Sequence, residues 1–136
     1  MNDLIDTNVI SQVRKGASCA PNVAAWFETV GDGSLYLSVL VLGEILRGVE
    51  RSRSKGPRKA IALESWLISV ATSHASRILP VDHAVANEWG RMSATHPVST
   101  VDALLAATAK VNRMTLVTRN ITDVTDLGAD VLDPFA

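Results

Sequence analysis

Short apolar stretches that alternate with segments of helical character constrain the fold of this chain more than any other feature of its sequence. The stretches begin at Asp3, Leu35, Ile78, Thr115 and Val131. Between them lie longer segments that carry caps typical of helices, such as Ser, Asp or Pro at their start. Short strands that alternate with helices predict an α/β domain, with a central, mostly parallel sheet flanked by helices.

Length and composition set further bounds on the fold and the location. A chain of 136 residues with 47% hydrophobic residues is expected to form a single domain over residues 1–136. No apolar run approaches the ~20 residues that cross a bilayer, so no membrane association is expected. The early acids Asp3 and Asp6 argue against a secretory signal, and the single cysteine, Cys19, fits a reducing compartment. We therefore expect a cytoplasmic protein.

The charge distribution is more informative than the net charge. A formal net charge of -1 excludes binding to nucleic acid through bulk positive charge. Residues 47–59, however, contain six of the 13 basic residues and one acid, Glu50. Two interpretations are open: an exposed helix end with its loop, or a surface that contacts phosphate. The candidate phosphate contacts are Arg47, Arg51, Arg53, Lys55 and Arg58.

Acidic side chains fall where the predicted strands end. Asp6 follows the first strand, Asp102 opens an alanine-rich helix, and Asn120 and Asp123 follow the strand that begins at Thr115. In open α/β sheets the working site lies at these carboxyl ends. Glu44 is the exception, because it lies inside a predicted helix among leucine and isoleucine side chains.

Each of these residues also has a structural explanation when taken alone. Asp6 can cap a helix, Asp102 can be a first-turn acid, and Glu44 can pair with Arg47 one turn later. Asn8 and Thr118 are ordinary turn or cap residues. The joint pattern favours a metal site, since carboxylates brought together repel one another unless a cation takes up their charge. Oxygen ligands without His or Cys suit Mg²⁺ or Mn²⁺.

Four segments also carry a resemblance to a known family. They are LIDTNVIS around Asp6, LSVLVLGEILRGVE around Glu44, STVDALLAATAKVNRMTLVTRN around Asp102, and the ending VLDPF. In this order, over nearly the whole chain, the sequence resembles PIN-domain proteins, and more narrowly the VapC-type toxins of type II toxin–antitoxin pairs, including the FitB-like branch.

The resemblance implies a fold, an activity and a set of partners. The fold is the PIN-like parallel sheet flanked by helices. The activity is Mg²⁺- or Mn²⁺-dependent endoribonuclease action, in which a metal-activated water attacks an RNA phosphodiester. The expected partners are the RNA substrate, a second copy in a homodimer, and a cognate VapB-like antitoxin, with which the toxin forms a hetero-oligomer on operator DNA.

Roles for individual residues follow from the same resemblance. The first three acidic positions fall on Asp6, Glu44 and Asp102. Many relatives have Asp where this chain has Asn120, so either Asn120 or the nearby Asp123 is the candidate for the fourth position. Donors expected to orient the carboxylates are Thr7, Asn8 and Thr118.

Two rival functions remain. A non-catalytic member that only binds nucleic acid or a partner is suggested by Asn120 in place of an acid. A phospho-acceptor switch of the receiver type also gathers acids at strand ends. The second fits poorly, since that chemistry needs adjacent acids after the first strand and a late lysine, and no lysine follows Lys110.

Overall fold

A parallel sheet forms the centre of the fold. The structure is a computed structural model that describes residues 2–136. Its strands are β1 (Asp3–Ile5), β2 (Leu35–Ser38), β3 (Ile78–Leu79), β4 (Thr115–Val117) and β5 (Val131–Leu132). Their order across the sheet is β3-β2-β1-β4-β5, and each pair of neighbours is parallel. The prediction of an α/β domain with a mostly parallel sheet is confirmed.

Helices provide the connections between the strands. They are α1 (Thr7–Arg14), α2 (Pro21–Thr29), α3 (Val39–Arg53), α4 (Pro57–Ser73), α5 (His83–Ser93), α6 (Thr100–Val111) and the short α7 (Ile121–Val124). Single 3-10 turns occupy Gly16–Ser18, Asp32–Ser34, Ala75–Arg77 and Thr125–Leu127. Among residues 2–136, no helix is both long enough and apolar enough to cross a membrane.

The chain reverses its direction of travel across the sheet at the central strand. From β1 it moves outward to β2 and β3, and it then returns to the other side of β1 with β4 and β5. Leu4 is therefore flanked by Tyr36 on one side and Leu116 on the other. In open parallel sheets such a switch point leaves a crevice at the carboxyl ends of the two strands that diverge, here β1 and β4.

The core lies around the central strands and α6. Leu4, Ile5 and Val117 are fully buried, as expected for a parallel sheet covered on both faces. Helix α6 is buried from Ala103 to Ala109 apart from Leu104, which is partly exposed. Its small alanine side chains let the helix backbone lie close to its neighbours, and this fixes the position of the first turn of α6.

Side-chain caps set several helix starts. Ser38 Oγ accepts a hydrogen bond from Leu40 N at 3.0 Å, and Asp82 Oδ1 accepts one from Val85 N at 3.0 Å. Each satisfies a backbone N–H group that the helix itself leaves unpaired. Ser and Asp at these two helix starts agree with the caps expected from the sequence.

The turn between α3 and α4 is shorter than the sequence suggested. The run of Ser, Lys, Gly and Pro over residues 52–59 predicts a loop, whereas α3 extends through Arg53 and α4 begins at Pro57. Proline is favoured in the first helical turn, where its missing N–H has no helical partner. The connection is therefore a tight turn of residues 54–56.

The buried side of α4 also differs from the expectation. The helical spacing of apolar residues in this segment predicts that Ile61 lies on the buried face with Val70. In the structure Ile61 is 61% exposed, while Val70 is buried. The reason is that α4 packs mainly against α3 rather than against the sheet. A helix at the periphery of a domain needs a narrower apolar stripe than one that covers a sheet.

Truncating the central strand should destabilise the protein strongly. Leu4→Ala removes a fully buried side chain from β1 and is expected to lower the free energy of unfolding by about 2–5 kcal/mol. Urea denaturation followed by circular dichroism measures the change. Ile68→Ala, at a side chain that is 63% exposed, is the control and should alter it by no more than about 0.5 kcal/mol. Equal losses in both variants would contradict this assignment of the core.

Candidate metal centre

Asp6 lies at the crevice between β1 and β4 and is only 6% exposed. It occupies the single position between the end of β1 and the start of α1, where it is the N-cap of the helix. Its Oδ1 accepts a hydrogen bond from Thr7 N at 2.6 Å, and its Oδ2 accepts one from Thr118 Oγ1 at 2.7 Å. A longer contact of 3.5 Å joins Asn8 Nδ2 to the same Oδ2. The carboxylate is thus oriented by donors from the start of α1 and from the segment after β4.

Thr7 links Asp6 to the second predicted carboxylate. The Thr7 hydroxyl donates to Glu44 Oε1 at 2.6 Å, while the Thr7 backbone N–H donates to Asp6. One residue therefore contacts both acids. The alternative partner for Glu44, Arg47, makes no ion pair with any residue in the described range 2–136. The structure thus gives Glu44 a contact at the crevice, through Thr7, and not the exposed salt bridge to Arg47.

Asp102 approaches from the first turn of α6. Its backbone N–H is capped by Ser99 Oγ at 3.2 Å, and its side chain is half-buried. Within residues 2–136, no hydrogen-bond donor contacts the Asp102 carboxylate. Its oxygens are therefore available to a ligand.

Asp6, Glu44 and Asp102 lie near enough to one another for their charges to interact. Burial raises the pKa of the Asp6 carboxyl above its ordinary value, and hydrogen bonds from Thr118 and Thr7 lower it in part. The negative charges of Glu44 and Asp102 raise it further. Like charges disfavour ionisation of a carboxyl group only when they are close.

The carboxylates do not, however, form a closed ligand cluster. Among residues 2–136, no three His, Cys, Asp or Glu side chains lie close enough together to hold a metal ion as they stand. The three acids share an electrostatic environment without yet sharing a coordination sphere.

The remaining acceptor capacity fits a hard cation. A carboxylate offers about four lone-pair sites, and the donors on Asp6 occupy one on Oδ1 and two on Oδ2. Oδ1 of Asp6 therefore keeps a free lone pair. In the described part of the chain, Oε2 of Glu44 and both oxygens of Asp102 also have no donor. A set of carboxylate oxygens without nitrogen or sulfur suits Mg²⁺ or Mn²⁺.

The two candidates for the fourth position lie in different surroundings. Asn120 is the N-cap of α7, and its backbone N–H donates to Thr118 Oγ1 at 3.1 Å. The same Thr118 hydroxyl donates to Asp6. Asp123 is exposed on α7 and lines a separate cavity of about 200 Å³ with His96 and Asp126. The charge of Asp123 is not among those that shift the pKa of Asp6.

Arg119 has contacts that the sequence did not reveal. Its guanidinium lies over the ring of Phe135, 4.8 Å from the centroid, and its backbone N–H donates to Asn8 Oδ1 at 3.3 Å. The first contact is a cation–π interaction between the loop after β4 and the C-terminal residues. No pattern in the sequence relates positions 119 and 135, so only the fold could reveal this pair.

The predicted basic residues lie at the end of α3 and the start of α4, all exposed: Arg47, Arg51, Arg53, Lys55 and Arg58. Arg53 differs from the others because it binds two carboxylates, Glu50 at 3.0 Å and Glu64 at 2.6 Å. Its charge is therefore largely matched within the protein.

This arrangement of acids at the switch point of a parallel sheet agrees with comparisons to known proteins. Residues 4–122 match the family described as PIN domain, and the chain belongs to that family. Among curated relatives, Toxin FitB of Neisseria gonorrhoeae is 33% identical, with 86% of each chain covered. The VapC ribonuclease Y4jK of Sinorhizobium fredii is 28% identical, with 97% of this chain and 96% of the relative covered.

Solved structures extend the comparison. The crystal structure of FitAcB from Neisseria gonorrhoeae matches with a TM-score of 0.87 and 28% identity over 98% of each chain. DNA-bound VapBC from Salmonella typhimurium matches with a TM-score of 0.74 and 21% identity over 98% of each chain, a likeness of fold alone. The predicted PIN-like fold and the resemblance to FitB- and VapC-type proteins are confirmed.

The raised pKa of Asp6 predicts how its replacement changes stability. Because the pKa is higher in the folded than in the unfolded chain, the stability it contributes is present at low pH and is lost as the pH rises through the folded value. Asp6→Asn, which keeps a good N-cap, should therefore raise the melting temperature of the metal-free protein at pH 7. The gain should disappear at a pH below the ordinary pKa of aspartate, about 4.

Thermal unfolding in EDTA at several pH values measures this effect. Asp82→Asn, at the exposed N-cap of α5, controls for the same change at a helix start. A melting temperature at pH 7 that falls in Asp6→Asn, and not in the control, would refute the electrostatic interpretation.

Proposed function

We propose that this protein is a Mg²⁺- or Mn²⁺-dependent endoribonuclease and the toxin of a VapBC-type toxin–antitoxin pair. One observation carries the proposal: a buried carboxylate, Asp6, lies at the switch point of the sheet, where burial and, to a smaller extent, the charges of Glu44 and Asp102 raise its pKa. Such an arrangement is costly for folding and useful for binding a cation beside a phosphodiester. Membership of the PIN domain family and the likeness to a VapC ribonuclease support the same activity.

The carboxylates would hold the ion through the oxygens that remain free of donors. Those atoms are Oδ1 of Asp6, Oε2 of Glu44 and the oxygens of Asp102. When bound, Mg²⁺ or Mn²⁺ supplies a water of lowered pKa and positive charge to oppose the charge that builds on the phosphate.

Three hydrogen-bond donors would fix the orientation of these carboxylates. Thr118 holds Asp6 from the β4 side, and Thr7 holds Asp6 and Glu44 together from the α1 side. Asn8 joins the two sides, since its amide contacts Asp6 Oδ2 and its carbonyl accepts from Arg119 N. Donors that orient ligands in this way typically change metal affinity or activity 10–100-fold when they are removed.

The fourth position belongs to Asn120 or Asp123 in this proposal. The backbone N–H of Asn120 is linked to Asp6 by two hydrogen bonds through the Thr118 hydroxyl, and the side-chain carbonyl of Asn120 can serve as an oxygen ligand. Asp123 would act at a greater distance, through water. A single well-held ion is favoured by an amide at this position, because an amide adds an oxygen without a further negative charge.

RNA would be guided to the crevice by the exposed basic residues of α3 and α4. They are Arg47, Arg51, Arg53, Lys55 and Arg58. Binding of a phosphate backbone by such residues releases counterions, so this contribution falls steeply as salt rises.

The partners follow from the relatives. The FitAcB crystal structure and the FitAB structure bound to a DNA fragment support a cognate VapB-like antitoxin and a hetero-oligomer on operator DNA. We include in the proposal a homodimer and a cytoplasmic location, where RNA and antitoxin meet.

A second function is favoured by one residue. Asn120 in place of an acid raises the alternative of a catalytically degenerate member that only binds nucleic acid or a partner. Metal binding distinguishes the two functions, because a binding module has no need of an ion held by Asp6 and Asp102.

Replacing Asp102 tests the proposed function directly. Asp102→Asn should lower the rate of RNA cleavage in Mg²⁺ or Mn²⁺ at least ~100-fold, since it removes charge that holds the ion against the developing negative charge. Cleavage of a labelled RNA, with EDTA as the metal-free reference, measures the rate. Asp130→Asn, an exposed acid before β5, is the matched control and should cleave like the parent protein.

Binding of Mn²⁺ by calorimetry completes the same experiment. The parent protein and Asp130→Asn should bind Mn²⁺, and Asp102→Asn should not at comparable concentrations. Cleavage that persists in EDTA would contradict the proposed metal dependence, whereas RNA binding with neither cleavage nor Mn²⁺ binding would favour the degenerate alternative.

The Thr118 hydroxyl should determine how tightly the ion is held. Thr118→Val keeps the shape of the side chain, removes the donor to Asp6 Oδ2 and should weaken Mn²⁺ binding about 10–100-fold. Loss of this donor also raises the pKa of Asp6 further, so the pH at which Mn²⁺ binding is half-maximal should move upward. Thr118→Ser, which retains the hydroxyl, is the control. Equal Mn²⁺ affinity in the Val and Ser variants would show that this hydrogen bond does not position the ligand.

A further inference from the structure

A basic cavity lies at the tight turn between α3 and α4. It has a volume of about 240 Å³ and is lined by Arg51, Ser52, Lys55, Gly56 and Lys59. Three of these residues are cations and none is an acid. In the described range 2–136, none of the three cations forms an ion pair. We call this cavity the turn groove.

Two other cavities in the described part of the chain have a different charge balance. In the larger, of about 300 Å³, Arg91 and Lys110 are already bound to Glu88, at 2.9 and 2.7 Å. The cavity of about 200 Å³ carries Asp123 and Asp126. Of the three, the turn groove alone presents cations without a carboxylate partner.

Three unpaired cations around one cavity repel one another, and an anion between them relieves that repulsion. Arginine and lysine side chains of this kind are the usual ligands of phosphate groups in nucleic acids. The groove is partly open to solvent, which suits phosphates of a backbone that passes through rather than an enclosed small molecule.

The position of the groove relative to the carboxylates points to an extended polyanion. Glu44, Arg47 and Arg51 follow one another on α3 at spacings of three and four residues, so they share one face of the helix. Seven residues of helix separate Glu44 from Arg51 by about 10 Å along the axis. A line of positive charge thus runs from the candidate metal centre to the turn groove.

We infer that the turn groove binds successive backbone phosphates of the RNA substrate outside the point of cleavage. The inference rests on the proposed function only in taking RNA as the polyanion. It changes the set of basic residues expected to matter: Lys59 joins Arg51 and Lys55 as a groove cation. Arg53 contributes little, because Glu50 and Glu64 already neutralise it.

The test measures RNA binding without metal, so that it does not depend on cleavage. A labelled single-stranded oligoribonucleotide is titrated with the full-length protein in EDTA at several salt concentrations, with fluorescence anisotropy as the readout. Two double variants of equal charge loss are compared: Arg51→Gln with Lys55→Gln in the groove, and Arg91→Gln with Lys110→Gln in the cavity of about 300 Å³.

The groove variant should reduce the slope of log K against log salt by about 1.4, which corresponds to two lost phosphate contacts on a single strand. The control variant should leave the slope close to that of the parent. Adding Lys59→Gln should reduce the slope by a further ~0.7, and Arg53→Gln alone should change it much less.

The outcomes separate this inference from the proposed function. If Asp102→Asn fails to abolish cleavage while the groove variant loses RNA affinity in EDTA, the groove stands and the catalytic proposal falls. If the groove and control variants share one slope, the groove is not an RNA site, whatever the nuclease assay shows. Unchanged RNA binding with loss of a co-purified antitoxin would assign the groove to an acidic segment of a protein partner, and would overturn the inference.

Discussion

The hydrogen bond from Thr118 to Asp6 is the contact on which the rest of the site depends. It joins the end of β4 to the end of β1, alongside a backbone hydrogen bond of 2.9 Å from Asp6 N to Val117 O. A carboxylate that is 6% exposed cannot remain charged without such donors. The position of Asp6 therefore requires the parallel pairing of β1 with β4, and the charges of Glu44 and Asp102 act on a group that cannot move away.

The site is organised at the expense of the stability of the metal-free chain. Burial and two nearby negative charges oppose ionisation of Asp6, and the donors from Thr7 and Thr118 offset only part of that cost. Functional sites commonly retain unfavourable interactions of this kind, which a bound ligand relieves.

Much of the fold could be predicted from the sequence because its signals are local. The apolar stretch around Leu4, the cap at Ser38 and the proline at Pro21 each indicate a strand or a helix start within a few residues. Residues 52–59 were predicted less well, since polar residues allow a helix to continue when a partner helix lies beside it. The crevice contacts from Thr7 to Glu44 and from Arg119 to Phe135 depend on residues far apart in the chain, so no local pattern reveals them.

Helix α3 has a consequence for how this protein can change over evolution. An α-helix advances by about 100° per residue, so one inserted or deleted residue between Glu44 and Arg51 would turn the acid and the arginine to different sides. Substitutions at exposed positions of α3 outside the face of Glu44 and Arg51 cost little, whereas changes in length that do not come close to whole turns disturb the spacing of these two residues. Because helix geometry sets the spacing of these side chains, related chains should differ in the side chains of α3 far more often than in its number of residues.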